Sequence, residues 1–300
     1  MSPTRRMAWL SLATSLATLG LKFGAYGLTG SVSLLSDALE AFVNIAAALA
    51  ALTALTIAER PPDADHPYGH DKAQYFSSGA EGVLILGAAV AIVYTAIGRL
   101  LEPAELERLG PGLLVAALAA AMNLVTARLM FRVARSHDSI TLEADAQHLM
   151  TDVWTSAGVI AGLGIVLLAP GWAILDPLIA IAVGLHIAWV GVGLLRRSTA
   201  GLMDTALPEQ ELATLRAAIA EELPPGTHHG PLRTRRAGPR RFVEFTLHVP
   251  GEQTVRASHA LCDRLEERIG ATLPRTQVTI HVEPLESLGP LGPATSRGGT

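Results

Sequence analysis

The chain has 300 residues, 50% of them hydrophobic and 17% charged, with a formal net charge of −4. Its apolar residues come in long blocks instead of amphipathic stripes, which excludes an ordinary soluble protein and indicates a polytopic membrane protein. The lone cysteine, Cys262, excludes an intrachain disulfide and a Cys-rich metal site.

Blocks long enough to cross a hydrocarbon core of about 30 Å run from about Met7 to Leu28, Val32 to Ala58, Phe76 to Leu101, Gly112 to Val133, Ala144 to Leu168 and Ile174 to Leu195. They predict six transmembrane helices. The first block lacks the small-residue cleavage pattern of a signal peptide and reads as a retained helix. Arg5, Arg6, Arg60, Lys72, Arg128, Arg132, Arg135, Arg196 and Arg197 flank alternate connections, whereas the others offer Arg99 and Arg108. Both termini are therefore expected in the cytoplasm.

After Arg197 charged residues become frequent and the segments shorten. The pattern predicts a helix from Pro208 to Leu223, a strand from Leu232 to Arg236 and a turn at Ala237-Gly238-Pro239. An alternating strand from Phe242 to Val249, a helix from Thr254 to Ile269 and a strand from Gln277 to Val282 follow. An α-β-β-α-β order suits a small two-layer α/β domain. The expected division is a transmembrane domain over 1–203, a soluble domain over 204–286 and a disordered tail over 287–300, rich in Gly, Pro and Ser.

Ionisable groups in a bilayer core are expensive and mark function by default. In the fifth block His148 and Asp152 stand at i and i+4, on one helical face. The second block carries Asp37, Glu40 and Asn44 at i, i+3 and i+7. With the second span running inward and the fifth outward, both sets fall near mid-membrane. Glu40, Asn44, His148 and Asp152 supply one nitrogen and three oxygens, a donor set compatible with Zn²⁺; so much oxygen also suits Fe²⁺, Co²⁺, Mn²⁺ or Cd²⁺. Glu40 and Asp152 bring two negative charges that a divalent cation cancels, and an emptied site draws protons to the same atoms. That competition is the chemical basis of metal/proton antiport. Asp37 is expected to support the site, to carry a proton or to act as a ligand. His186, alone at mid-depth in the sixth span, is expected to make an interhelical hydrogen bond.

Between the second and third spans, Asp63, His66 and His70 form a candidate metal site in a loop rich in Asp and His. In the soluble domain, His228, His229, His248, His259, His281 and Glu283 sit at strand ends and on one helix, with His281 and Glu283 on one strand face. Cys262 reads as a buried free thiol.

Together these residues resemble the cation diffusion facilitator family, most closely its bacterial zinc/ferrous-iron efflux members. The resemblance covers about Met7 to Pro284. It rests on six spans, Ser36-Asp37-Ala38-Leu39-Glu40, the Asp63 to Lys72 loop ending Tyr-Gly-His-Asp-Lys, the His148 to Asp152 step, Gly201-Leu202-Met203-Asp204 and Leu232-Arg233-Thr234-Arg235. It implies a homodimer in the bacterial plasma (inner) membrane, with metallochaperone-like cytoplasmic domains, exporting divalent metal in exchange for protons. By position it implies a transport site at Glu40, Asn44, His148 and Asp152, a loop site at Asp63, His66 and His70, and a domain site at His229, His259, His281 and Glu283. It also implies a charged contact between the membrane and cytoplasmic parts through Lys72 and Asp204. The sequence departs from the family in having Glu40 and Asn44 where zinc exporters place Asp at both positions, or His then Asp. Thr246 replaces a family His, and His248, two residues on and on the same strand face, is a candidate substitute.

The reading is thus a proton-coupled divalent-metal exporter working by alternating access, with Zn²⁺ the leading cargo, no resident cofactor and no nucleic-acid partner. One alternative is a membrane-anchored metal sensor or scaffold, which has no need for charged groups at mid-membrane. Another is an intramembrane metalloenzyme, for which the sequence offers neither a His-Glu-x-x-His run nor a nucleophile with a base.

Overall fold

The computed structural model describes residues 1–29, 32–101, 110–168 and 174–287. The tail expected to be disordered lies, from residue 288 on, outside the described residues. The chain divides into two compact units, Met1–Leu202 and Met203–Thr300.

The first unit is six long helices: α1 (Pro3–Thr29), α2 (Val32–Ala58), α3 (Ala73–Leu101), α4 (Gly110–His137), α5 (Ile140–Leu168) and α6 (Leu175–Leu202). Several overrun the apolar blocks by polar turns, as at Ala134 to His137 and Arg196 to Leu202. Backbone hydrogen bonds favour helix through the interfacial layers too, where the bilayer is about 40–45 Å thick with headgroups. Among the described residues, segments of α3, α4 and α6 are long and apolar enough to cross a membrane by length and composition.

Polar side chains and glycines decide how these helices meet, because apolar faces alone gain little by leaving lipid. The hydroxyls of Thr14 on α1 and Thr126 on α4 pair at 2.9 Å in a buried contact. Ser139 donates to Gln74 Oε1 at 2.8 Å and Thr141 to the Gln74 carbonyl at 3.1 Å, tying the start of α5 to the start of α3. Ser198 on α6 donates to the Tyr75 carbonyl at 2.5 Å. Glycines then let α3 and α6 approach closely: a Cβ on Gly191 would meet Leu86 at 3.0 Å, and one on Gly82 would meet Leu195 at 3.0 Å. A Cβ on Gly201 would overlap the Tyr75 ring. Gly201→Ala is therefore expected to destabilise the helical unit by about 1–3 kcal/mol through overpacking. A melting curve of the detergent-solubilised protein checks this, and an unchanged midpoint would mean that Tyr75 has room to turn away.

The second unit contains α7 (Glu209–Glu222), β1 (His228–His229), β2 (Arg233–Ala237), β3 (Arg240–Val249), α8 (Val255–Thr272) and β4 (Thr276–Pro284), closed by a short 3₁₀ turn. The predicted order stands, with a two-residue strand added before the first. β1 and β2 share one edge of β3, through His228↔His248 and Arg233↔Glu244, so they are one edge strand interrupted at Gly230 and Pro231. β4 lies parallel to β3 on its other side, with Thr246↔His281 and His248↔Glu283. The β2–β3 hairpin turns on Gly238, whose φ of 54° supplies the left-handed backbone that such a turn favours. Thr254 caps α8 by accepting from the Ala257 amide at 3.2 Å.

Val243, Phe245, Leu247 and Val249 alternate along β3 and form a core with Leu215 and Ile219 of α7 and Leu261, Leu265 and Ile269 of α8. The helices therefore cover one sheet face. At the rim, Glu211 accepts from Arg241 Nε at 2.8 Å and from Arg236 Nη2 at 2.5 Å. Partial burial works to raise its carboxyl, but the Arg241 and Arg236 guanidinium groups outweigh it and hold Glu211 below the usual carboxylate range. A depressed folded-state value stabilises fully above the unfolded value, about 4.3 for Glu, and the gain is lost as pH falls through the folded value. Amide-exchange protection of α7 in the full-length protein is expected to follow that course. A Glu211→Gln protein with the same acid dependence would contradict it.

Candidate metal sites

The membrane residues predicted from α5, His148 and Asp152, meet Asn44 of α2, and a residue from α4 joins them. Asn44 and His148 are buried, and Asp152 is half-buried. Asn44 Nδ2 donates to Asp152 Oδ2 at 2.5 Å, and His148 Nε2 stands 2.8 Å from Asn44 Oδ1. An ionised carboxylate only accepts, so the Asn44 amide turns its nitrogen to Asp152 and its oxygen to His148, and His148 donates from Nε2. Asn123, on α4, adds a second donor to Asp152 Oδ2 at 3.1 Å. Among the described residues, His148 Nδ1 and Asn123 Oδ1 are buried without a hydrogen-bond partner. Three helices thus converge on one carboxylate and one imidazole, with two polar atoms unused. Glu40 and Asp37 lie on α2 one and two turns before Asn44, and their side chains are outside the described residues.

Asn123 was not singled out in the sequence. The available signal was a lone amide inside the apolar run Ala119 to Val125. Among the described residues His186 makes ring contacts and not the expected interhelical hydrogen bond: its centroid is 5.7 Å from Trp154 and 6.3 Å from Trp189, on an exposed face of α6. Its polar ring sits beside aromatic neighbours that offer π-faces, a contact that needs no buried acceptor.

The loop residues come together as predicted. Asp63 Oδ1 is 3.1 Å from His66 Nδ1 and Oδ2 is 3.3 Å from His70 Nε2, and the two imidazole centroids are 4.5 Å apart. The Asp63 carboxylate also accepts from the backbone amides of His66 at 2.7 Å and Asp65 at 3.1 Å. The His66 amide bond, against desolvation and with help from the two imidazoles, holds its carboxyl below the usual range. The one candidate ligand atom from each of the three residues lies within 4.8 Å of the others, the only such group among the described residues. Lys72 follows this loop.

The domain residues divide between two faces. His281 and Glu283 share the sheet face opposite the helices, with His281 Nε2 3.3 Å from Glu283 Oε1. His248, across from Glu283, is buried on that face with Nδ1 4.0 Å from Glu283 Oε2. His229 instead turns to the core side, its ring against Phe245 and its Nδ1 2.8 Å from the Gly230 carbonyl. His228, the register partner of His248, shares its face. His259 stands exposed on α8 beside Asp263 at 3.8 Å. Cys262 is a buried free thiol, and burial, aided by the charges of Glu266 and Asp263, pushes it up. Asp204 lies 3.6 Å from Arg235 of its own unit.

A family model described as the cation efflux transmembrane domain matches residues 8–203, and one described as the cation efflux protein cytoplasmic domain matches residues 207–285. The chain belongs to the cation efflux family, the cation diffusion facilitators. A transporter named sll1263 from Synechocystis, described as uncharacterized, is 45% identical over 282 residues, covering 94% of this chain and 91% of that protein. The cation-efflux pump FieF of Klebsiella pneumoniae is 31% identical over 281 residues, covering 93% and 92%. A solved structure of CzrB in a Zn form is 43% identical over 27% of this chain and 92% of its own, with a TM-score of 0.26. As a cation diffusion facilitator, the chain is a membrane-embedded cation efflux transporter and not an enzyme.

Proposed function

We propose that this transporter carries a divalent metal, Zn²⁺ first, out of the cytoplasm in exchange for protons, with Glu40, Asn44, His148 and Asp152 as the transport site. The observation that carries this reading is the buried chain of hydrogen bonds from His148 through Asn44 to Asp152. One imidazole beside carboxylate and amide oxygens suits zinc and other borderline cations better than calcium or magnesium. In this network Nε2 of His148 donates to Asn44, so ligation through Nε2 requires that hydrogen to move to Nδ1 or leave. Two carboxylates, Glu40 and Asp152, balance a divalent ion and draw protons when it departs, which couples the two flows. A sensor or scaffold would have no use for such a network within the membrane.

The same proposal includes a homodimer in the bacterial inner membrane with both termini cytoplasmic. It includes Asp37 as a proton-carrying or supporting group, and a domain site drawn from His229, His248, His259, His281 and Glu283. His248, His281 and Glu283 have the strongest support, because they share the sheet face free of helices. The loop trio Asp63, His66 and His70 is proposed to bind metal separately. Asp63→Ala removes the bridging carboxylate and the turn it organises, and is expected to cost one bound Zn²⁺ per chain in equilibrium dialysis; undiminished stoichiometry would exclude the loop as a site.

Reconstitution tests the whole reading. Uptake of Zn²⁺, Cd²⁺, Fe²⁺, Co²⁺ and Mn²⁺ into liposomes is measured with and without an imposed pH gradient. Uptake that accelerates with an opposing proton gradient is the expected result, and uptake indifferent to it would overturn the antiport mechanism.

A further inference from the structure

A second pair of carboxylates lies inside the helical unit, away from the ligand sets above. Glu81, on α3, is 0% exposed and Asp145, on α5, is 1% exposed. Among the described residues each keeps one buried oxygen without a hydrogen-bond partner, Glu81 Oε2 and Asp145 Oδ2. Ser77 donates to the other Glu81 oxygen at 3.2 Å. The Ser11 hydroxyl of α1 stands beside Asp145 without making a well-formed hydrogen bond. Glu81 and Asp145 are near enough for their charges to interact, yet among the described residues they exchange no hydrogen bond.

Two ionised carboxylates have no hydrogen to share, and a cation between them would satisfy the unpaired oxygen of each. Among the described residues no lysine or arginine pairs with either carboxylate; the buried Lys22 of α1 is eleven residues beyond Ser11, about 16 Å along the axis. Asp145, His148 and Asp152 fall at i, i+3 and i+7 of α5 and share one face. The pair therefore sits about 5 Å along the helix from His148, toward the end where α6 leads into the second unit.

We infer that Glu81 and Asp145, with the Ser77 and Ser11 hydroxyls, form a second divalent-cation site of hard oxygen donors, a station between the bundle end and the transport site. Two carboxylates balance the ion, and an all-oxygen set favours cations of the Mn²⁺ type. Only its place on the path rests on the export reading; equilibrium binding tests the site whether or not the chain transports.

The test uses the full-length protein in detergent and Mn²⁺ as the probe, read by electron paramagnetic resonance. A background of Asp63→Ala, Asp152→Asn and Glu283→Gln removes a ligand from each other candidate site. That background is expected to retain one Mn²⁺ per chain and to lose affinity by at least about tenfold when Glu81→Gln or Asp145→Asn is added. Both substitutions are near-isosteric, and gel filtration identifies a variant that fails to fold, leaving the other to decide. A background that binds no Mn²⁺, or binds it equally after either substitution, would overturn the assignment.

Discussion

Asp152→Asn is expected to slow Zn²⁺ uptake by reconstituted protein on the order of a hundredfold, with the protein still folded. The Asp152 carboxylate is where three helices meet: Asn44 and Asn123 both donate to its Oδ2, at 2.5 and 3.1 Å. An amide of the same shape fills the space, so packing survives. Its oxygen is a weaker donor to metal, and one of the two charges proposed to balance the cation is gone. The signature is a lost rate with an unchanged elution profile. Uptake at close to the wild-type rate would remove Asp152 from the transport site and with it the charge argument for proton exchange.

Asn44→Asp is the reciprocal experiment and should act in the opposite direction. The amide nitrogen that now steadies Asp152 becomes an oxygen 2.5 Å from a second carboxylate oxygen. Without a cation those groups repel; with one they bind it more strongly. Zinc affinity is expected to rise about tenfold or more, and the ranking among Zn²⁺, Cd²⁺, Fe²⁺, Co²⁺ and Mn²⁺ to shift, because ligand charge discriminates among these ions. Competition against a fluorescent zinc chelator measures the first effect, and the liposome panel measures the second. An unchanged ranking would mean that the amide does not set selectivity.

The two substitutions also mark how far the sequence could be read. The spans were readable because a bilayer demands long apolar runs, and the loop trio because Asp63, His66 and His70 are neighbours in the chain. His148 and Asp152 were readable because i and i+4 share a helical face whatever the tertiary structure. Asn123 was not, since an isolated amide in a span says nothing about which helix it faces. The domain histidines show the limit most clearly. His228 and His229 differ by one residue, and strand alternation sends them to opposite faces. Which one joins His248 depends on the register set across the break at Gly230 and Pro231. Glu81 and Asp145 are 64 positions apart, and only the packing of α3 on α5 makes them neighbours.

The glycine-lined contact between α3 and α6 has a mechanical consequence. Where backbones approach without intervening Cβ atoms, as at Gly82 and Gly191, two helices have little freedom to slide and travel as one strut. Asn44, Asn123, His148 and Asp152 all belong to α2, α4 and α5, so the proposed transport site is built outside that strut. Any motion that opens it to one side and then the other is directed to the seam between the strut and its neighbours. Glu81, on α3, and Asp145, on α5, stand on opposite sides of that seam, near enough for their charges to interact. An ion seated between them would latch it shut, making the cargo itself the bolt that must be drawn before the two parts can rock.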